Sequence, residues 1–294
     1  MDLIYVMNHL NTQEKCIEYL EYKRWQGIPV CPYCESKKSS SKSLRHTCLE
    51  CNNSYRVTVG TVFQDSNIPL TKWFMGIALI LSAKKGISSL QLSRDLSVNK
   101  NTAWLLQMKI RNVMKEDSNG LLEGVVEADE TFIGGKVNSH YPQRKKRSKP
   151  VTGTNHLKPV LGMVERNGKV IAQVIKTPLR EDIMPILQAN ITPSSTVVTD
   201  GSSAYFPSKK YFKDHQILSK SSQCFKRGEF HTNTIEGFWS LLKRAIIGQY
   251  HRVNELYLQM YIDELSFKYN YRNNTDRGFS FLMGKLIGAS VAKC

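Results

Sequence analysis

Three acidic residues and one lysine stand where phosphodiester chemistry on divalent cations would need them. Asp129 closes an apolar run, Gly124-Val125-Val126-Glu127-Ala128-Asp129, that reads as a buried strand with a carboxylate at its end. Asp200 does the same for Ser195-Thr196-Val197-Val198-Thr199-Asp200, after which Gly201-Ser202-Ser203 turns the chain. Glu236 belongs to a segment with helical periodicity in which Ile235, Phe238, Trp239 and Leu242 share one face. Carboxylates are hard oxygen donors, and Mg2+ or Mn2+ bound by a few of them keeps several waters. Two such ions can activate an attacking oxygen and stabilise the leaving oxygen of an in-line displacement. Lys243 follows Glu236 by seven residues, two helical turns, so it returns to the same face and can meet a phosphate. Taken singly, each acid reads as a solvated strand-end or surface-helix residue. The ordered set is what points to chemistry.

These groups need rigid elements to hold them. Val160 to Val164 and Val170 to Ile175 read as two strands joined through Arg166-Asn167-Gly168-Lys169, whose Asn-Gly pair is a strong hairpin signal. Ile183 to Ile191 reads as a helix, and Val253 to Tyr271 as a longer one, its tyrosines explained by core packing. Phe206 to Phe230 reads as loop with scattered basic residues. Strands ending at Asp129 and Asp200, with the hairpin and these helices, make an α/β domain with a mixed sheet and flanking helices over 119–294.

Upstream, 1–27 reads as helical, started at Asn11-Thr12-Gln13-Glu14 and ended at Gly27 and Pro29. Cys31-Pro32-Tyr33-Cys34 and Cys48-Leu49-Glu50-Cys51 are two CxxC knuckles. Thiolates of Cys31, Cys34, Cys48 and Cys51 at this spacing form a closed tetrahedral site for structural Zn2+, the geometry of a zinc ribbon. Cys16 has no partner spacing and reads as a buried small hydrophobe. Residues 52 to 65 read as further short strands, completing a module over 1–66. Over 67–118, a helix from Pro69 to about Ala83 precedes two more, Ser88 to Leu96 and Lys100 to Arg111, split by a tight turn at Ser97-Val98. Helix, short turn, polar-fronted helix is the helix-turn-helix pattern, with Lys100, Asn101 and Thr102 as the groove-facing candidates. Two packed helices with solvated tips would look the same.

The chain of 294 residues carries 41 Lys and Arg against 25 Asp and Glu, a formal net charge of +16, which favours a polyanionic partner. A dense basic run lies at Arg144, Lys145, Lys146 and Arg147, in a loop suited to phosphates. No apolar run is long enough to span a bilayer, and the amino terminus does not read as a signal peptide. Cytoplasmic residence is expected, with the cysteines reduced or metal-bound.

Two segments, Val126-Glu127-Ala128-Asp129-Glu130-Thr131-Phe132-Ile133-Gly134-Gly135-Lys136 and His231-Thr232-Asn233-Thr234-Ile235-Glu236-Gly237-Phe238-Trp239, resemble the signatures of bacterial insertion-sequence transposases of the ISXO type, related to the Merlin elements. The resemblance spans nearly the whole chain. It implies a ribonuclease H-like DDE domain that binds double-stranded DNA at element ends and target, with Mg2+ (or Mn2+) on Asp129, Asp200 and Glu236. It also implies action as a dimer or higher oligomer on nucleoid DNA. Some members of this family use Asn as the third ligand, and Asn233 lies one turn before Glu236, so the third position stays open between them. Glu236 is preferred because an amide oxygen neutralises none of the ions' charge. A transposase-derived regulator without catalysis, and a plain nuclease without strand joining, are the alternatives.

Affinity for element-end duplex should therefore fall steeply with salt, as displaced counterions require. Replacing Lys100 and Asn101 with Ala should reduce discrimination between end and random DNA in a binding titration. Replacing Arg144, Lys145, Lys146 and Arg147 should weaken all duplexes alike.

Overall fold

The amino-terminal helices form where the capping signals place them. The computed structural model describes residues 3–115, 120–134, 157–218 and 230–288. Helix α1 (Leu3–His9) leads into α2 (Gln13–Trp25), whose N-cap Thr12 accepts a bond from Lys15 N–H. Beyond α2 come β1 (Ser39–Lys42), β2 (Arg45–Cys48) and β3 (Ser54–Tyr55), a three-stranded antiparallel sheet in chain order. The expected run of strands over 52–65 is reduced to β3; the rest is turns. The reason is visible in Arg24, whose Nη1 donates to the carbonyls of Val57 and Val59, both at 2.6 Å. Those carbonyls are satisfied by a guanidinium, so no ladder is needed. Cys16 is buried, donates to Leu10 C=O at 3.3 Å, and burial pushes its thiol up to about 12.

Three helices follow: α3 (Leu70–Ser82), α4 (Ser89–Asp95) and α5 (Lys100–Met114). Ser88 caps α4 and Asn99 caps α5 through its own side chain, while Ser97 takes a left-handed φ of 49° in the turn between them. Lys72 Nζ reaches Ser97 C=O at 3.0 Å and ties that turn to α3.

The second compact unit lies between Lys115 and Tyr271. Its strands are β4 (Val125–Ile133), β5 (Lys158–Glu165), β6 (Val170–Val174), β7 (Thr196–Asp200) and β8 (Asp214–Leu218), with α6 (Arg180–Asn190) between β6 and β7 and a short α7 (Ser208–Tyr211) before β8. In space the order is β6-β5-β4-β7-β8. The first three are antiparallel neighbours, while β7 and β8 run parallel to β4. This is the ribonuclease H-like mixed sheet, and helices cover both faces. One face buries Val126, Ala128, Leu161, Met163 and Val197 with Ile183 and Leu187 of α6. The other buries Val160, Val164 and Ala172 against α8 (Asn233–Ala245) and α9 (Leu258–Asn270). Five π-helical residues, Ile246–Tyr250, extend α8.

Three expectations change here. Asp129 is not at a strand end, because β5 pairs with β4 through Ile133 and carries the strand four residues further. The stretch read as loop after Phe206 contains β8, a polar edge strand without an apolar run; its buried His215 shares a 2.8 Å hydrogen bond with Thr199 Oγ1. The long helix expected from Val253 begins only at Leu258, after a 3-10 turn.

The last helix, α10 (Thr275–Gly288), was expected within a domain of 119–294, yet it belongs to the amino-terminal unit. Phe279, Leu282, Met283 and Leu286 are buried as α10 packs on α2, α3 and α5, and Leu286 C=O accepts from Val62 N–H at 3.1 Å. No helix among the described residues is long and apolar enough to cross a membrane.

Gly162 on β5 is required by the close seating of α8. A Cβ there would come within 2.5 Å of the Trp239 ring and 2.9 Å of Ile235. Gly162→Ala should cost about 1–3 kcal/mol through overpacking, read as a lower urea midpoint. An unchanged midpoint would mean that the indole moves aside freely.

Candidate functional site

Strand register brings the two aspartates together. Val125 pairs with Thr196 and Glu127 with Val198 in parallel register, and the same offset puts Asp129 level with Asp200 beyond the last bonded pair. In-register residues on parallel neighbours point to one side of a sheet. For β4 that side is the α8 side, since Glu127 and Asp129 both bond to α8 while Val126 and Ala128 are buried on the opposite face.

Helix α8 supplies the remaining groups. Ile235, Phe238, Trp239 and Leu242 are all buried, as the periodicity predicts, so the flank with Glu236, Ser240, Lys243 and Arg244 stays open. Trp239 Nε1 donates to Asp129 Oδ2 at 3.0 Å. This bond is possible because Gly162, the antiparallel partner of Asp129, leaves room for the ring. Asp129, Asp200, Glu236 and Lys243 line one cleft of about 630 Å³, together with Glu130, Phe132 and Arg244. Asn233 does not line it; that residue is exposed at the first position of α8.

Four carboxylates line the cleft, those of Asp129, Glu130, Asp200 and Glu236. Burial raises the Glu130 carboxyl above its ordinary range, opposed by the hydrogen bond that the buried Tyr205 hydroxyl donates to it, and the charges of Asp200 and Asp129 push it the same way as burial. Tyr205 is held well above the usual phenol range by burial and then by Glu130. Asp200 Oδ1 accepts from Ser202 N–H at 2.9 Å, and Glu236 Oε1 from the Thr232 hydroxyl at 3.2 Å. Hard oxygen donors and the cationic Lys243 and Arg244 line the same cleft, residue types that suit divalent cations and a phosphate.

Sequence reasoning missed Glu127, Glu130, Tyr205, Trp239 and Arg244 as parts of this site. The signal for Glu127 was present: a charged residue inside an apolar strand must have a buried partner. It is fully buried and accepts from Thr234 N–H at 2.9 Å, Ile235 N–H at 3.1 Å and the Thr234 hydroxyl at 2.8 Å. Arg166 Nη2 lies 3.2 Å from it, and His231 Nδ1 is at the same distance.

In the other unit, the sulfurs of Cys31, Cys34, Cys48 and Cys51 lie within 4.8 Å of one another. Cys31 and Cys51 are 3.7 Å apart and Cys34 and Cys48 3.5 Å, against an edge of about 3.8 Å for a tetrahedron with Zn–S bonds of about 2.3 Å. Backbone N–H groups of Cys51 and Glu50 aimed at the Cys48 sulfur hold its thiol down at about 6. The four thiols fit a closed zinc site. Trp25, His46 and Tyr55 wall it, with His46 stacked on Tyr55 and held by Glu21 at 2.8 Å. Lys100 and Asn101 are exposed on the first turn of α5, and Thr102 is half-buried beside them. Arg144, Lys145, Lys146 and Arg147 lie outside the described residues.

Fold and metal ribbon together define a class: a ribonuclease H-like domain in a chain that also carries a zinc-binding module. Comparison with known proteins narrows this. Residues 121–270 match the ISXO2-like transposase domain, and 11–54 match the transposase zinc-ribbon domain. The chain belongs to the ISXO2-like transposase family. It is 24% identical over 247 residues to an uncharacterized protein in the transposable element ISH50 of Halobacterium salinarum, covering 79% of this chain and 83% of that one. Among solved structures it is similar to the Mos1 strand transfer complex (10% identity, TM-score 0.26, 71% of this chain and 77% of that one). It is also similar to a pre-cleavage Mos1 transpososome (10% identity, TM-score 0.24, 94% of this chain and 95% of that one).

Purified protein should carry about one zinc per chain. Cys48→Ser should release it and loosen the ribbon, seen as metal loss by mass spectrometry with early proteolysis confined to the amino-terminal residues. A metal-free wild-type chain with a protected ribbon would contradict the assignment.

Proposed function

We propose that this protein is a DDE-type transposase that binds the ends of its own insertion sequence, cuts their 3′ ends and joins them to target DNA. The observation that carries this reading is the shared cleft of Asp129, Asp200, Glu236 and Lys243. Asp129, Asp200 and Glu236 would hold two Mg2+ (or Mn2+) ions. Bound there, such ions supply activation of the attacking oxygen and charge stabilisation of the leaving one. Lys243 and Arg244 would fix the scissile phosphate over the carboxylates. In the first step water attacks the phosphorus and the element's 3′ oxygen leaves. In the second, that oxygen attacks a target phosphorus and the target's own 3′ oxygen leaves. No covalent enzyme intermediate is needed.

Recognition of the ends falls to the exposed first turn of α5, with Lys100, Asn101 and Thr102 against base edges and phosphates. The run Arg144, Lys145, Lys146 and Arg147 would act as a phosphate-binding arm. Joining two ends calls for at least two copies of the chain on DNA, in the bacterial cytoplasm. For the third ligand, the cleft favours Glu236, which lines it, over Asn233, which does not.

Asp129→Asn and Glu236→Gln should each lower cleavage and joining of element-end DNA by roughly a thousandfold or more with DNA affinity unchanged. Asn233→Ala should retain measurable activity. An inactive Asn233→Ala beside an active Glu236→Gln would reassign the third ligand to the asparagine.

A further inference from the structure

We infer that Glu127 is the positioning residue of this cleft: it sets the register of α8 on β4, so that Glu236 and Lys243 face the level of Asp129 and Asp200. This rests on the proposed reading of the cleft as a divalent-cation site. Glu127 has no solvent-exposed surface and does not line the cleft, so it cannot touch substrate or ion. What it touches is the start of α8. The first amides of a helix have no partner inside it, and α8 lacks a capping side chain of its own. Thr232, at the N-cap position, turns its hydroxyl to Glu236 instead. The amides of Thr234 and Ile235 are taken by Glu127 Oε2, and the Thr234 hydroxyl by Oε1. Arg166 supplies the balancing charge from the end of the β5 hairpin.

Two anchors fix a register where one would allow sliding. The second is Trp239 on Asp129, the next residue on the same side of β4. From Glu127 to Asp129 the strand rises about 6.6–6.8 Å. From Ile235 to Trp239 the helix rises about 6 Å. The spans match, so strand and helix are pinned at both ends of one stretch, and Glu236 is the residue just inside the first pin. A slip of one residue would turn each α8 side chain by about 100°. That would carry Glu236 and Lys243 off the cleft, and a forward slip would bring Glu236, Ser240 and Lys243 to the buried positions of Ile235, Trp239 and Leu242. The apolar face of α8 favours the same register, and the bonds at Glu127 and Asp129 add two directional anchors that fix its setting on β4.

The test uses the full-length chain, with Ca2+ binding followed by calorimetry and single-turnover cleavage of element-end duplex in Mg2+. Wild type should bind Ca2+ and Asp129→Ala should not, which checks the cleft separately. Glu127→Gln should then weaken Ca2+ binding and slow cleavage about 10- to 100-fold each, with DNA affinity and zinc content unchanged. Its Thr234 and Ile235 amides should exchange faster with deuterium. Glu127→Asp should recover part of the loss. In combination with Glu236→Gln, Glu127→Gln should add nothing to the Ca2+ loss, because both act through one carboxylate. Wild-type Ca2+ affinity in Glu127→Gln, or a fully additive double variant, would overturn the inference while leaving the cleft's function standing. A wild-type chain that ignores both Ca2+ and Asp129→Ala would overturn the reading of the cleft, and this inference with it. Should Glu127→Gln fail to fold, Thr234→Val, which removes only the hydroxyl bond, carries the test: a several-fold weaker Ca2+ affinity supports the inference and an unchanged one refutes it.

Discussion

A buried carboxylate in the middle of a sheet has to be answered by donors, and in this protein the answer is the start of a helix from the far end of the domain. Glu127 and Thr234 are 107 residues apart in the chain. Their contact closes the second layer over the sheet. It orients the helix dipole toward a negative charge and leaves Arg166 to neutralise the pair. Burying such a charge is tolerable because the Thr234 and Ile235 amides, the Thr234 hydroxyl and Arg166 all donate to it. The same condition makes the contact directional, adding to the register that the buried face of α8 already favours.

From that contact the rest of the cleft follows. With α8 in place, Trp239 lies over Gly162 and bonds Asp129, so β4 and β5 each give up something for the indole: one an acceptor, the other a side chain. The parallel register of β4 with β7 brings Asp200 level with Asp129. Glu236, Lys243 and Arg244 then occupy the flank of α8 that the sheet cannot cover. Acids from β4, β7 and α8 thus share one cleft with the two bases of α8.

The amino-terminal unit follows a different logic. Its ribbon is too small to sustain a core, and four thiols take that role, walled by Trp25, His46 and Tyr55. Its helices draw their last partner, α10, from the opposite end of the chain. Residues 121–270 and 11–54 each match a transposase domain, and α10 packs on α2, α3 and α5 of the amino-terminal unit.

Local pattern alone determined a good deal. The CxxC spacing, the apolar face of α8, the Asn-Gly hairpin and the capped pair α4 and α5 are written in neighbouring residues, and they appear where the pattern put them. So were the acids and the lysine of the cleft, because carboxylates at apolar strands and i, i+7 on a helix are visible without a fold. Partners across long separations were not visible. The extent of β4 depended on β5, the existence of β8 depended on β7, and the home of α10 depended on apolar surfaces that the sequence does not order. Above all, a charge at Glu127 inside an apolar strand called for a partner without saying which one. Only the tertiary structure could give it one, because hydrogen-bond satisfaction of a buried charge is a property of what surrounds it in space, and a sequence specifies that surrounding only through the completed fold.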